Sequence, residues 1–106
     1  MHIQVNSDHH IVVTESFATK IQALVVDALS RHSHQLTRVE VHLSDENSSK
    51  EGGHDKKCVL EARPAGLKPL AVSDKAATID EAIDGAIAKL DHLLEHTFGR
   101  LHSNKG

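Results

Sequence analysis

The stretch TIDEAIDGAIAKLDHLLEHTFGRL, residues 78–101, decides the architecture of this chain. Thr78 followed three residues later by Glu81 has the spacing of a capping box, in which hydroxyl and carboxylate satisfy the free amides of a helix start. From there Ile79, Ile83, Ala86, Ile87, Leu90, Leu94 and Leu101 recur mostly at three- and four-residue intervals. The spacing predicts an amphipathic helix reaching about residue 101, weakened near its end by Gly99. One apolar stripe of that length needs a surface to cover it, and the residues upstream supply a sheet.

Working back from this helix, Leu70 and Val72 give a short strand, which Pro69 confines to a sheet edge because proline cannot donate to the ladder. Cys58, Leu60 and Ala62 alternate with Val59, Glu61 and Arg63 in a further strand, stopped by Pro64 and followed by the turn Pro64-Ala65-Gly66. Residues 44–55 (SDENSSKEGGHD) are polar and contain Gly52-Gly53, the composition of a long hairpin loop. Before them, Val39, Val41 and Leu43 face one way and Arg38, Glu40 and His42 the other, in a strand that begins near Leu36. Thr14 is a candidate N-cap with Glu15 at the positive end of a helix. Phe17, Ile21, Leu24, Val25, Ala28 and Leu29 then mark the apolar side of a helix over residues 15–32. Met1, Ile3 and Val5 open the chain as a strand with one buried face. The order β-α-β-β-β-α reads as an α+β fold, a four-stranded sheet with two helices packed on one face. It makes one domain over residues 1–102, with a tail at 103–106.

Composition narrows the function. With 106 residues, the chain builds one modest core and leaves little material for an enclosed active site. Phe17 and Phe98 are its only aromatic rings besides histidine, so the stacking platforms of many single-strand RNA binders are missing. Cys58 stands alone, which excludes an internal disulfide and suits a reducing compartment. The opening residues lack the charged and apolar regions of a secretory leader, and no apolar run reaches the ~20 residues of a membrane span. A cytoplasmic protein is expected. The net charge of −3 is not that of a strongly basic nucleic-acid binder.

The chain resembles the family of ribosome hibernation promoting factor, also called sigma-54 modulation protein, and ribosome-associated inhibitor A. The likeness runs from the opening strand to Leu101. Its best local segment is Glu81-Ala82-Ile83-Asp84-Gly85-Ala86-Ile87-Ala88-Lys89-Leu90, with the Thr14-Glu15 helix start and the Val39-Glu40-Val41-His42-Leu43 strand matching in kind and position. The resemblance implies a fold related to double-stranded-RNA-binding domains. It also implies binding to rRNA of the small ribosomal subunit, in the channel for mRNA and tRNA, which blocks translation in resting cells. It implies no catalysis, no cofactor and no small-molecule substrate. The C-terminal extension by which some members pair ribosomes is expected to be absent. The family carries many Lys and Arg along both helices; here the first has Lys20 and Arg31, the second Lys89 and Arg100.

At ~100° per residue, the last helix sorts into three stripes. Counting from Lys89 as zero, the apolar residues Ile79, Ile83, Leu90, Leu94 and Leu101 fall near ~80 to ~140°, and Asp80, Glu81, Asp84, Asp91 and Glu95 between about 180 and about 280°. Lys89, His92, His96 and Arg100 form a third row at spacings of three, four and four. A row of that kind is what a helix lying along a phosphate backbone would present. With Lys20 and Arg31 from the first helix, these make the expected RNA-binding set. Histidine adds a proton dependence: full protonation of all ten would raise the formal charge of −3 by ten, to +7. His92 and His96 are the two expected to gate RNA binding by pH. A diverged protein-interaction module of the same fold is the alternative.

Several motifs carry less. His92-Leu93-Leu94-Glu95-His96 matches the H-x-x-E-H pattern of inverted zinc peptidases, but only ten residues follow, none of them acidic, so a third ligand is missing and no metal site is expected. His9-His10 and His32-Ser33-His34 read as solvated loop histidines, and Cys58 as a buried structural thiol. Gly52-Gly53 has no phosphate-loop context.

Overall fold

The computed structural model describes residues 1–9, 11–46 and 55–103, the last four by backbone alone. Four strands and two helices follow in the expected order: β1 His2–Ser7, α1 Glu15–Ala28, β2 Leu36–Asp45, β3 Lys56–Pro64, β4 Leu70–Ala76 and α2 Ile79–Ser103. The strands lie in the order β1-β2-β3-β4. β1 runs parallel to β2, with Ile3 opposite Val39 and Val5 opposite Val41; the other two pairings are antiparallel. Such a parallel pair requires a crossover, and α1 is that crossover. At the hairpin, Asp45 pairs with Lys56, and Glu46 N donates to Asp55 O at 3.0 Å. Residues 47–54, the greater part of the expected loop, lie outside the described residues, as does most of the expected tail.

Alternation along the strands puts Val39, Val41, Leu43, Cys58, Leu60 and Ala62 on one face, where all are buried. α2 covers the β3–β4 half of that face and α1 the β1 side. α2 buries Ala82, Ile83, Ala86, Ile87, Leu90, Leu94 and Phe98. Its start keeps half of the expected capping box: Glu81 N donates to Thr78 Oγ1 at 3.1 Å, while Glu81 Oε1 accepts from the Thr78 hydroxyl at 3.0 Å in place of the Thr78 backbone amide. At α1, Thr14 Oγ1 accepts from Phe17 N at 3.1 Å.

Three expectations need correcting. α1 ends at Ala28, not residue 32, and a 3-10 segment, Ser30–Gln35, continues the chain. Ser33 Oγ donates to Ser30 O at 3.1 Å, the local competition for backbone acceptors by which serine weakens a helix. The tighter winding also stacks Leu29 and His32, three residues apart, on one inward side. His32 is therefore buried, not a solvated loop histidine, whereas His34 is exposed. Leu24, placed on the apolar side of α1, is 38% exposed; Ile21, Val25 and Leu29 carry that packing. Pro64 is the last residue of β3, buried and paired with Leu36. The turn after it uses Gly66 at φ 76°, a left-handed conformation that glycine adopts without steric cost.

Candidate nucleic-acid interface

The side chains expected to meet phosphate stand on two different flanks of α2. Asp91 is two residues from Lys89, so the two project about 160° apart around the helix. Lys89 lies on the flank that overhangs β4. Its Nζ is 2.9 Å from Asp74 Oδ1 and donates to Ser73 O at 2.8 Å. Asp91 and Glu95 lie on the flank toward the 3-10 segment and hold Arg31 between them: Arg31 Nη2 is 3.0 Å from Asp91 Oδ2 and 2.9 Å from Glu95 Oε2. The expected set thus divides, with Lys89, His92 and His96 on one side of α2 and Arg31 on the other. Lys20 projects from α1 and is exposed. The side chain of Arg100 lies outside the described residues.

Lys89 reaches Asp74 because α2 comes very close to β4 at Gly85. A Cβ on that residue would stand 1.8 Å from Asp74 Oδ2 and 2.6 Å from its Cγ. The bare glycine leaves room for the carboxylate beneath the helix, and Lys89, one turn on, neutralises it. Cys58, opposite Asp74 across the ladder, is completely buried. Burial pushes its thiol up to about 12, and the Asp74 carboxylate adds to the effect.

The sheet face turned away from the helices is a tile of alternating charge. Arg38 Nε donates to Glu40 Oε2 at 2.9 Å and its Nη2 donates to Gln4 Oε1. Arg63 lies 3.3 Å from Glu61 and 3.8 Å from Glu40, and His42 Nε2 lies 3.3 Å from Glu40. The hydrogen bond from Arg38, together with these neighbouring cations, holds the Glu40 carboxyl below the usual range. Glu46 is lowered in the same way, first by its hydrogen bond with Lys75 and also by Lys57. Alternation put these side chains outward, but nothing local revealed that they pair across three strands.

Among the described lysines and arginines, only Lys20 and Lys68 have no ion-pair partner; Arg31, Arg38, Lys56, Lys57, Arg63, Lys75 and Lys89 are all paired. Exposed pairs of this kind are worth ~0–1 kcal/mol each, so a dense row of phosphates can displace them. His92 and His96 are exposed and make no hydrogen bond or ion pair with a described residue. Glu95 points to Arg31 and His32, away from a site it could share with His92 and His96 as a zinc peptidase would require. Among the described residues, no group of three or more His, Cys, Asp or Glu side chains is placed to hold a metal ion.

Comparison with known proteins adds an independent line. A family model described as Sigma 54 modulation protein / S30EA ribosomal protein matches residues 3–102. The fold is similar to that of the Protein Y N-terminal domain of Thermus thermophilus, with a TM-score of 0.71 at 17% identity, covering 92% of this chain and 99% of that one. It is similar also to a ribosomal subunit interface protein from Coxiella burnetii, with a TM-score of 0.69 at 13% identity over 93% and 99% of the two chains. No curated protein sequence matches. At these identities the structural likeness is one of fold.

Proposed function

As the chain belongs to the Sigma 54 modulation protein / S30EA ribosomal protein family, we propose that it is a ribosome-associated inhibitor of translation that binds rRNA of the small ribosomal subunit. The observation that carries this reading is the family match over nearly the whole chain, residues 3–102. The structural neighbour described as a ribosomal subunit interface protein supports it. The role is that of a binding module without catalysis, cofactor or small-molecule substrate, and its place of work is the cytoplasm, where ribosomes are. Among the described residues no helix is long and apolar enough to cross a membrane.

The contact surface in this reading comprises Lys20, Arg31, Lys89, His92, His96 and Arg100. Each paired cation exchanges a carboxylate for a phosphate on binding. Counterion release then makes affinity fall steeply with salt, by a log–log slope of about 0.9 per phosphate contact. Co-sedimentation with small ribosomal subunits at low and moderate salt tests this. We expect binding that weakens sharply with salt, and a slope shallower by about 1 per lost contact when Lys89→Glu and Arg100→Glu are combined. Reversal at Lys56 and Lys57, at the foot of β3, should matter less. If the two pairs of reversals behave alike, the surface is misplaced. No binding at low salt would favour a diverged protein-interaction module, a reading to which the extensive internal pairing of basic side chains lends support.

A further inference from the structure

The corner where the 3-10 segment meets α2 holds a group that the RNA-binding reading does not use. His32 is 6% exposed, packed against the Phe98 ring at a centroid distance of 5.5 Å, and its Nε2 is buried without a hydrogen-bond partner. That nitrogen faces two carboxylates, 3.3 Å from Asp91 Oδ1 and 3.7 Å from Glu95 Oε2. Arg31 claims the same two oxygens, at 3.2 Å and 2.9 Å. Guanidinium and imidazole therefore share one pair of acceptors. Among the described residues, Asp91 and Glu95 of α2 and Arg31 of the 3-10 segment are the charged groups of this cluster.

Counting charge decides what the arrangement does. With a neutral imidazole, two carboxylates face one guanidinium and the corner carries −1. With a protonated imidazole it carries zero, and the new positive charge lies within 4 Å of both carboxylate oxygens, so a small turn of the ring would let Nε2 donate to them. A shallow cavity of about 260 Å³ beside it, lined by Arg31, His32, Gln35, Glu95, Phe98 and Gly99, gives water a path to the ring without unfolding.

We propose that protonation of His32 is an acid-operated control on this surface: the imidazolium takes a share of Asp91 and Glu95, removes the uncompensated negative charge, and leaves the half-exposed Arg31 guanidinium available to an RNA phosphate. The proposal rests on the RNA-binding reading above and assigns that surface a regulator. It differs from gating by His92 and His96, which face no charged partner among the described residues and can only add their own charge. His32 instead changes what an arginine is bound to.

The experiment measures affinity at pH 6.0 and 7.5 for two probes, polyuridylate RNA by fluorescence anisotropy and small ribosomal subunits by co-sedimentation. The proteins are the parent, His32→Gln, and the His92→Gln, His96→Gln pair. Several-fold tighter binding at pH 6.0 is expected for the parent, and a much smaller step for His32→Gln than for the His92/His96 variant, since the other histidines add only their own charge. Should His32→Gln fail to give a cooperative urea transition, Asp91→Asn combined with Glu95→Gln serves in its place. It removes the shared acceptors and should bind well at both pH values, with a step much smaller than the parent's. An unchanged pH step in His32→Gln, or no step in the parent, overturns the proposal and leaves the ribosome reading standing. Polyuridylate binding with the step but no ribosome binding overturns the ribosome reading and keeps the control. Binding to neither probe overturns both.

Discussion

Gly85 is the point at which a missing side chain does most for this molecule. In an exposed helix, Gly→Ala gains about 0.8–1.0 kcal/mol from propensity alone. Here the added methyl would occupy the space of the Asp74 carboxylate, and the ion pair with Lys89 would be lost as Asp74 turns away. We therefore expect Gly85→Ala to destabilise the parent by about 1–2 kcal/mol but to be neutral or stabilising in an Asp74→Ala background, a coupling that a denaturant double-mutant cycle reads directly. A stabilised Gly85→Ala parent would show that helix and strand are not in such close approach. None of this was legible in the sequence. Helical spacing relates a residue to its neighbours three and four positions away, and Asp74 belongs to a different element. Arg31 and Lys89 stand out in the sequence as cations, yet their partners come from across the fold, Asp91 and Glu95 for the one and Asp74 for the other. His32 was misread for the same reason: a histidine between Arg31 and Ser33 looks solvated until the 3-10 winding turns it onto Phe98.

At the scale of elements, α2 was the most legible part of the chain, because its apolar positions keep one phase against the sheet. Ile83 is 1% exposed and Ile87 9%, both facing the sheet as the periodicity predicts. Ile83→Ala and Ile87→Ala should each cost ~2–5 kcal/mol, Ile83 the more because it is the more deeply buried. Urea melts in which both variants match the parent would remove the basis for that face assignment. α1 was legible only in part. Its crossover role fixes where Ile21, Val25 and Leu29 sit, but the apolar pattern extends to Leu24 and Val26, which the fold leaves partly exposed. An apolar stripe wider than its contact surface gives no sign of which edge will be left out. The strands were read well on phase and poorly on partnership: alternation tells inside from outside, while the parallel β1–β2 pairing depends on how the crossover packs.

For the molecule as a whole, Cys58 offers a gauge of global unfolding. It lies in the middle of the sheet beneath α2, so its thiol meets solvent only when sheet and helix separate, and its rate of alkylation should track the population of the unfolded chain. A native thiol held up to about 12, against an ordinary 9.0, keeps its proton when an unfolded one has lost it. The resulting contribution to stability is complete below about 9 and declines as pH rises from there toward 12. Urea melts at pH 8 and 10.5 should show a loss that Cys58→Ala does not share in full, and native alkylation at pH 8 should be very slow. Rapid labelling without denaturant would contradict both expectations. The order of the strands has a consequence of another kind, for the birth of the chain. β1 has one strand neighbour, β2, and His2 is translated thirty-six residues ahead of Arg38, its counterpart in the ladder. β1 thus waits for its ladder partner while α1 is made, and a nascent chain halted before Leu36 can hold β1 and α1 but lacks the strand on which the rest of this sheet is built.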